Sequence, residues 1–306
     1  MPLQRVIRCK GVLILIKKIA LGVVAAASVM LLAGCASNAA APTPSASKTS
    51  DIDVTARAAL PADIRSSGVL RIATDATYAP NEFMDSHNTP IGWEVELVKA
   101  MAKRLGLKPV VTQVTFDDIF NQINSNQQDM GVSSFFDTKA RQASVDMVDY
   151  YRAGTQWGQR KGSNVDPNNA CGLTVAVQKD SYQFDTDLPA RNAACKKDGR
   201  AAIRIKPYNT QDAANEAVEF GQASAFIADS PVTQFSVLQS SGTFVTAGEV
   251  YDTYLYGMPV KKGSQLSKAI TLALQGLIEH DTYRQILASW GVQEGALGEI
   301  TLNQGK

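Results

Sequence analysis

The stretch from Met130 to Arg141 reads Met-Gly-Val-Ser-Ser-Phe-Phe-Asp-Thr-Lys-Ala-Arg, an apolar run that meets a charged helix start. The apolar run stops at two hydroxyl residues, Ser133 and Ser134. A buried strand that ends in this way and turns into a helix leaves free backbone N–H groups at its tip, which attract anions. Arg141 follows within one or two helical turns, and its planar guanidinium can hold a carboxylate through two parallel hydrogen bonds. These residue types describe a carboxylate-binding corner at the carboxyl end of a strand, where open α/β sheets hold ligands. The competing reading is an ordinary surface arginine on a polar helix, the commoner arrangement. A second position of interest is Asp229, at the end of the apolar run Ala225 to Ala228. It suits either an ammonium ligand or a helix cap, since Ser230-Pro231 follows and aspartate caps helices well.

Several elements must position these groups. Val69 to Thr74 reads as a strand and Val110 to Val114 as another, with Met130 to Ser133 as the third. Between them, Val95 to Leu105 places Leu97, Val98, Met101, Ala102 and Leu105 on one helical face and stops at Gly106. Asp117 to Asn126 is a helix with Ile119, Phe120 and Ile123 inward. Phe83 to Gly92 carries Asp85, Asn88 and Pro90 and reads as a hairpin or loop. The β-α-β-α-β order predicts a parallel sheet. A second cycle begins after Gly162. Strands are expected at Leu173–Val177, Ala202–Ile205, Ala225–Ala228 and Tyr254–Val260, and helices at Asp212–Phe220, Leu266–Ile278 and Thr282–Trp290. No short fixed period recurs, which excludes a solenoid. About 245 residues from Pro61 onward exceed one small core and suit two lobes.

The amino-terminal residues hold Arg5, Arg8, Lys10, Lys17 and Lys18 and no acid, followed by the apolar run Ile19 to Leu32. That run is short for a membrane span and ends in small residues. Leu32-Ala33-Gly34-Cys35 resembles the cleavage box of bacterial lipoprotein signal peptides, which implies residues 1–34 as a signal peptide and lipid on Cys35. Lipid there would anchor the chain to the outer face of the cell membrane. The apolar Val12 to Ile16 before Lys17-Lys18 is unusual for such a leader and suggests a start downstream of Met1. Residues 35–60 are rich in Ala, Ser, Thr, Pro and Asn and are expected to be a flexible tether. Without residues 1–34, 25 basic residues remain against 29 acids, so the net charge moves from +1 to −4. An acidic balance argues against nucleic acid as a partner. Cys9 leaves with the signal peptide, and Cys171 and Cys195 remain as an even pair in an oxidising compartment, where a disulfide is expected. Only His87 and His280 are present, without a Cys-x-x-Cys pair, so neither a metal centre nor a His-dependent triad is expected.

Leu70-Arg-Ile-Ala-Thr-Asp-Ala-Thr-Tyr-Ala-Pro80 resembles the first strand and loop of the family 3 periplasmic solute-binding proteins. Gly92-Trp-Glu-Val-Glu-Leu97 is similar to their Gly-Phe-Asp-x-Asp-Leu segment. Ser133-Ser134 with Arg141, and Ala228-Asp229-Ser230-Pro231, are similar to their ligand corners. Leu188-Pro-Ala-Arg191 with Cys171 and Cys195 resembles the actinobacterial branch, which implies a disulfide in the second lobe. The resemblance spans roughly Leu60 to Leu302. It implies a type II two-lobed α/β periplasmic-binding-protein fold, each lobe a mainly parallel sheet flanked by helices and joined to the other by two crossing strands. Residues 61–157 with 253–302 would form lobe 1 and 158–252 lobe 2. The implied function is capture of a zwitterionic solute, an amino acid or analogue, by hinge closure, as a monomer that docks on the permease and ATPase of an ABC importer. No cofactor is implied, and no Gly-x-x-x-x-Gly-Lys phosphate loop occurs.

Carried onto this chain, the resemblance gives Arg141 and the Ser134 N–H to the ligand carboxylate and Asp229 to its ammonium. Tyr78 and Phe116 would sandwich the ligand side chain, and Asp75 could meet a polar or cationic group on it or cap its own loop. Ser133, Tyr182 and Gln183 complete the expected ligand set. Two departures stand out. Phe136 replaces a common hydroxyl residue, and Asp180-Ser-Tyr-Gln183 replaces a Gly-Thr/Ser-Thr-Gln segment, so the pocket is expected to be smaller, or its ligand flatter and less like an ordinary polar amino acid. An enzyme of the same fold, like the cyclohexadienyl dehydratases, is one alternative. It would need a positioned acid to expel a leaving group, and no carboxylate can be assigned that role from sequence. A ligand-sensing lipoprotein is the other.

Overall fold

A computed structural model describes residues 51–306. The signal peptide, Cys35 and most of the expected tether lie outside the described residues. Within the expected tether, residues 54–58 are helical. Asp53 caps a helix, α1 (Val54–Ala58), by accepting the Ala56 N–H at 2.9 Å. Ala56 and Leu60 are buried in the core, so this segment is anchored by apolar side chains that the polar composition around it masks. After α2 (Ala62–Ser67), β1 (Val69–Thr74) starts the main sheet.

In the first lobe β1 runs parallel to both β5 (Lys108–Gln113) and β6 (Met130–Gly131). A small antiparallel sheet of β2 (Thr77–Tyr78), β3 (Glu82–Met84) and β4 (Pro90–Ile91) covers its carboxyl end. Helices α3 (Trp93–Arg104), α4 (Ile119–Asn124) and the short α5 (Lys139–Gln142) connect these strands. In the second lobe β8 (Thr174–Gln178) lies parallel to β9 (Arg204–Tyr208) and β10 (Ala225–Asp229), with α6 (Leu188–Lys197) and α7 (Gln211–Glu219) between them and α8 (Ser230–Gln239) after β10. Two long antiparallel strands, β7 (Val145–Arg160) and β11 (Phe244–Lys261), run through both lobes. They fuse the two sheets into one in the order β5-β1-β6-β11-β7-β10-β8-β9, with β12 (Ala296–Leu302) beside β7. Helices α9 (Leu266–Glu279) and α10 (Thr282–Ser289) return to the first lobe.

The amphipathic stripe of α3 packs Leu97, Val98, Met101 and Leu105 into the first-lobe core as its spacing predicts. Cys171 and Cys195 are joined by a disulfide, with Cα atoms 5.7 Å apart. Differences from the sequence expectations follow from burial. The strand β7 is nearly continuously buried, so it shows no alternation to read. The expected strand at Ala202–Ile205 lies at Arg204–Tyr208, an edge strand with exposed Arg204. Helices α6 and α8 start with proline in their first turn and lack a strong apolar stripe; α6 was not expected, and α8 only as the helix that Asp229 would cap.

Candidate functional site

Strand tips and loops of both lobes meet around a pocket. Its wall contains all nine residues expected to hold a ligand: Asp75, Tyr78, Phe116, Ser133, Ser134 and Arg141 from the first lobe, and Tyr182, Gln183 and Asp229 from the second. Glu82, Phe136, Gln178, Lys179 and Ser181 complete it.

Arg141 sits on α5, whose first turn is capped by the Thr138 side chain accepting from the Arg141 N–H. The guanidinium donates from Nη1 to the Phe136 carbonyl at 2.9 Å. Its Cζ lies 5.2 Å from the Phe135 ring and 5.7 Å from the Phe116 ring. The two rings themselves stack with centroids 4.4 Å apart. Among the described residues Arg141 has no salt-bridge partner. Desolvation pulls its pKa down to about 10, so it remains a cation whose charge is largely unanswered.

Asp229 faces it from the tip of β10. The helix-cap alternative is not what the structure shows, because the Asp229 side chain makes no cap hydrogen bond to α8. Its Oδ2 accepts from Tyr256 Oη at 2.7 Å and its Oδ1 from Gln183 Nε2 at 2.7 Å. The Asp229 N–H donates to Tyr78 Oη at 3.1 Å, a contact between lobes. Burial pushes its carboxyl up to about 7 despite these donors. Asp75 accepts from Gln113 and Thr77, each at 3.1 Å, and burial raises it as well.

The Ser134 N–H is not free for a ligand as expected. Ser134 adopts a left-handed backbone, φ 53°, and its N–H donates to Glu94 Oε2 at 3.1 Å. Glu94 and Glu82 were not expected in the site. Glu82 ends the turn-rich loop after β2, and Glu94 lies in the first turn of α3. Gly92 brings them together, because a Cβ there would meet the Asn81 carbonyl oxygen at 2.2 Å. That close approach lets the Glu94 N–H donate to the Asn81 carbonyl at 3.1 Å. The signal that could have found Glu94 is its place on the apolar face of α3, above Leu97 and Val98.

The two departures form one wall. Phe136 stacks on Tyr254 at 5.0 Å and meets Tyr182 at 5.4 Å. Tyr182 Oη donates to Asp252 at 2.7 Å and lies 2.8 Å from Tyr254 Oη. Rings from the first lobe, second lobe and crossing strand thus meet on this wall.

Residues 70–293 match the bacterial extracellular solute-binding proteins, family 3, and the chain belongs to that family. Its role is solute binding, on the type II periplasmic-binding-protein fold. The chain is 36% identical to the arginine-binding protein ArgT of Corynebacterium glutamicum over 81% of this chain and 82% of that protein. It is also similar to a solved ancestral arginine-binding protein bound to arginine, with 28% identity, a TM-score of 0.66, and coverage of 73% of this chain and 98% of the other. The arginine-, lysine-, histidine-binding protein ArtJ of Geobacillus stearothermophilus aligns with a TM-score of 0.64 and 27% identity over 72% of this chain and 94% of its own. Among the described residues no helix is long and apolar enough to cross a membrane.

Proposed function

We propose that this chain captures an amino acid with a cationic side chain and delivers it, as a monomer, to the permease and ATPase subunits of an importer. Lipid on Cys35 would hold it at the outer face of the membrane. Residues 61–157 with 253–302 would close on 158–252 about β7 and β11. One observation carries the choice of ligand: the pocket sets one unpaired guanidinium, Arg141, against three carboxyl side chains, Asp75, Glu82 and Asp229. Burying a ligand charge without a partner is costly, so the ligand must complement this balance. Its carboxylate goes to Arg141 and its α-ammonium to Asp229. Asp75 and Glu82 then remain for a second cation. The other basic residue of the wall, Lys179, is exposed and 3.6 Å from Asp180. The names of the relatives, which refer to arginine, lysine and histidine, support the same reading.

Thermal-shift screening with L-arginine, L-lysine, L-histidine, L-glutamine and L-glutamate tests it. The basic amino acids are expected to stabilise the protein, by about 2.7 kcal/mol at a hundredfold excess over Kd. Stabilisation by neutral or acidic amino acids alone would overturn the choice. The dehydratase alternative predicts aromatic product from prephenate or arogenate, and the binding reading predicts none.

A further inference from the structure

Glu82 and Glu94 form a carboxyl pair that ligand contacts alone do not account for. Both side chains are fully buried, Glu82 on β3 and Glu94 on α3. Ser134 Oγ lies between the two carboxyl groups, 2.9 Å from Glu94 Oε1 and 3.4 Å from Glu82 Oε2. Two buried carboxyl groups that share one hydroxyl with no cation beside them do not both ionise, so one of them keeps a proton. Glu94 is the better anion, since it also accepts from Tyr150 Oη at 2.5 Å and the Ser134 N–H at 3.1 Å. Glu82 is therefore the acid, and of the two only Glu82 lines the pocket. Burial and the Glu94 charge push it well above the usual carboxylate range.

The other titratable groups around the pair are acids: Asp75 after β1, Tyr78 on β2, Tyr150 on β7, Asp229 on β10 and Tyr256 on β11. The wall cation Arg141, on α5, is held by the Phe136 carbonyl and the two phenylalanine rings. Neither glutamate has a basic salt-bridge partner among the described residues. The cluster thus lacks a positive charge that only something entering the pocket can bring.

We propose that the ligand's side-chain cation replaces the proton shared by Glu82 and Glu94, so that capture releases a proton and affinity rises with pH. This rests on the cationic-ligand reading above. The Glu82 O–H bond breaks, its proton passes to solvent, and the new carboxylate accepts N–H donors from the ligand guanidinium or ammonium. Glu94 stays an anion throughout. It acts through Glu82 and is a positioning residue, because its charge is what keeps the proton on Glu82 in the free protein. The sign follows from linkage: the free pair binds one more proton than the complex, so raising pH favours the complex until free Glu82 ionises.

Calorimetric titration with L-arginine at several pH values, in buffers of different ionisation enthalpy, counts the protons. Wild type should release about one proton more than Glu94→Gln, whose amide can donate to Glu82 and let it ionise beforehand. Asp229 contributes its own fraction to both proteins, so the difference isolates the pair. The wild-type affinity should climb with pH, by up to about tenfold per unit, more steeply than that of Glu94→Gln. Glu82→Gln should lose the same proton and bind L-arginine at least about tenfold more weakly. Equal proton release by wild type and Glu94→Gln overturns the exchange, while L-arginine binding itself keeps the cationic reading. If wild type ignores L-arginine and binds neutral amino acids, both fall. Should Glu94→Gln not fold, infrared difference spectra decide. The protonated-carboxyl band that wild type loses on adding L-arginine should be smaller in Glu82→Gln, and an unchanged band overturns the proposal.

Discussion

The first lobe buries Trp93, Tyr150, Tyr151, Tyr256 and Tyr283 in one large core beside a smaller cluster around Ile119, Phe135 and Met147, whereas the second divides fewer residues between the two faces of its sheet. On one face Trp157, Val175, Val177 and Ile227 pack with Leu188 and Cys195; on the other Ala176, Phe226 and Phe244 pack with α7. The thinner lobe is reinforced by other means. The disulfide ties Cys171 to α6, and Arg191 stacks over Tyr251 at 4.7 Å while bonding Asp187 at 2.9 Å. Tyr251 in turn accepts from Trp157 Nε1 at 2.8 Å. The site is divided as unequally. The first lobe contributes Arg141, Asp75 and Glu82, and the second chiefly Asp229 with Gln183. A large core can hold several buried charged groups in place, whereas the lean lobe contributes one carboxylate at a strand tip.

The largest effect should come from removing the reinforcement. Replacing Cys171 and Cys195 by alanine opens a loop of about 25 residues, worth roughly 3.5 kcal/mol in the chain-entropy model. Hydrogen exchange should show β8 and β9 opening first, with the first-lobe core strands unchanged. Equal loss of protection in both lobes would mean that the second lobe's own packing is not the weaker one.

How much of this was legible depended on whether a residue's partners were local. The strand β1 and the helices α3 and α9 follow from apolar spacing alone. The strand β7 was not readable, because Asp146 and Asp149 sit inside it as buried polar groups, held by Asn303 and Thr301. Those partners lie more than 150 residues away. In the site, the Arg141 and Asp229 positions carried recognisable strand ends. Glu82 did not, since it matters through Ser133 and Ser134, some fifty residues on. The same distance concealed that Glu94 takes the Ser134 N–H, which local sequence leaves free for an anion.

The next effect tests the division of the site. Arg141→Ala and Asp229→Ala should each weaken ligand binding by about a hundredfold, near 2.7 kcal/mol, because each leaves one desolvated ligand charge unpaired. The loss in Arg141→Ala should shrink for an amidated ligand, and in Asp229→Ala for one lacking the α-amine. Calorimetry on both variants measures this, with circular dichroism to confirm folding. Near-normal affinity in a folded Arg141→Ala would make this arginine a structural residue of the aromatic cluster.

The smallest effect concerns the wall where the lobes touch. Phe136 belongs to the first-lobe core and Tyr182 to the loop after β8, so their rings meet only when the lobes are together. Such a ring pair is worth about 0.5–1.5 kcal/mol beyond its buried area. Phe136→Leu and Tyr182→Leu each keep apolar volume while removing one ring. If the rings hold the closed state, the single variants should speed ligand release by about threefold to tenfold, and the double variant by less than the product of the two. Thermal stability without ligand should change less, because the ring pair counts only when the lobes are together. Stopped-flow release rates on the four proteins give the coupling directly. Strictly multiplicative rates would show that the two rings line the pocket independently, leaving the charges of Arg141 and Asp229 as the dominant link between the lobes in the bound state.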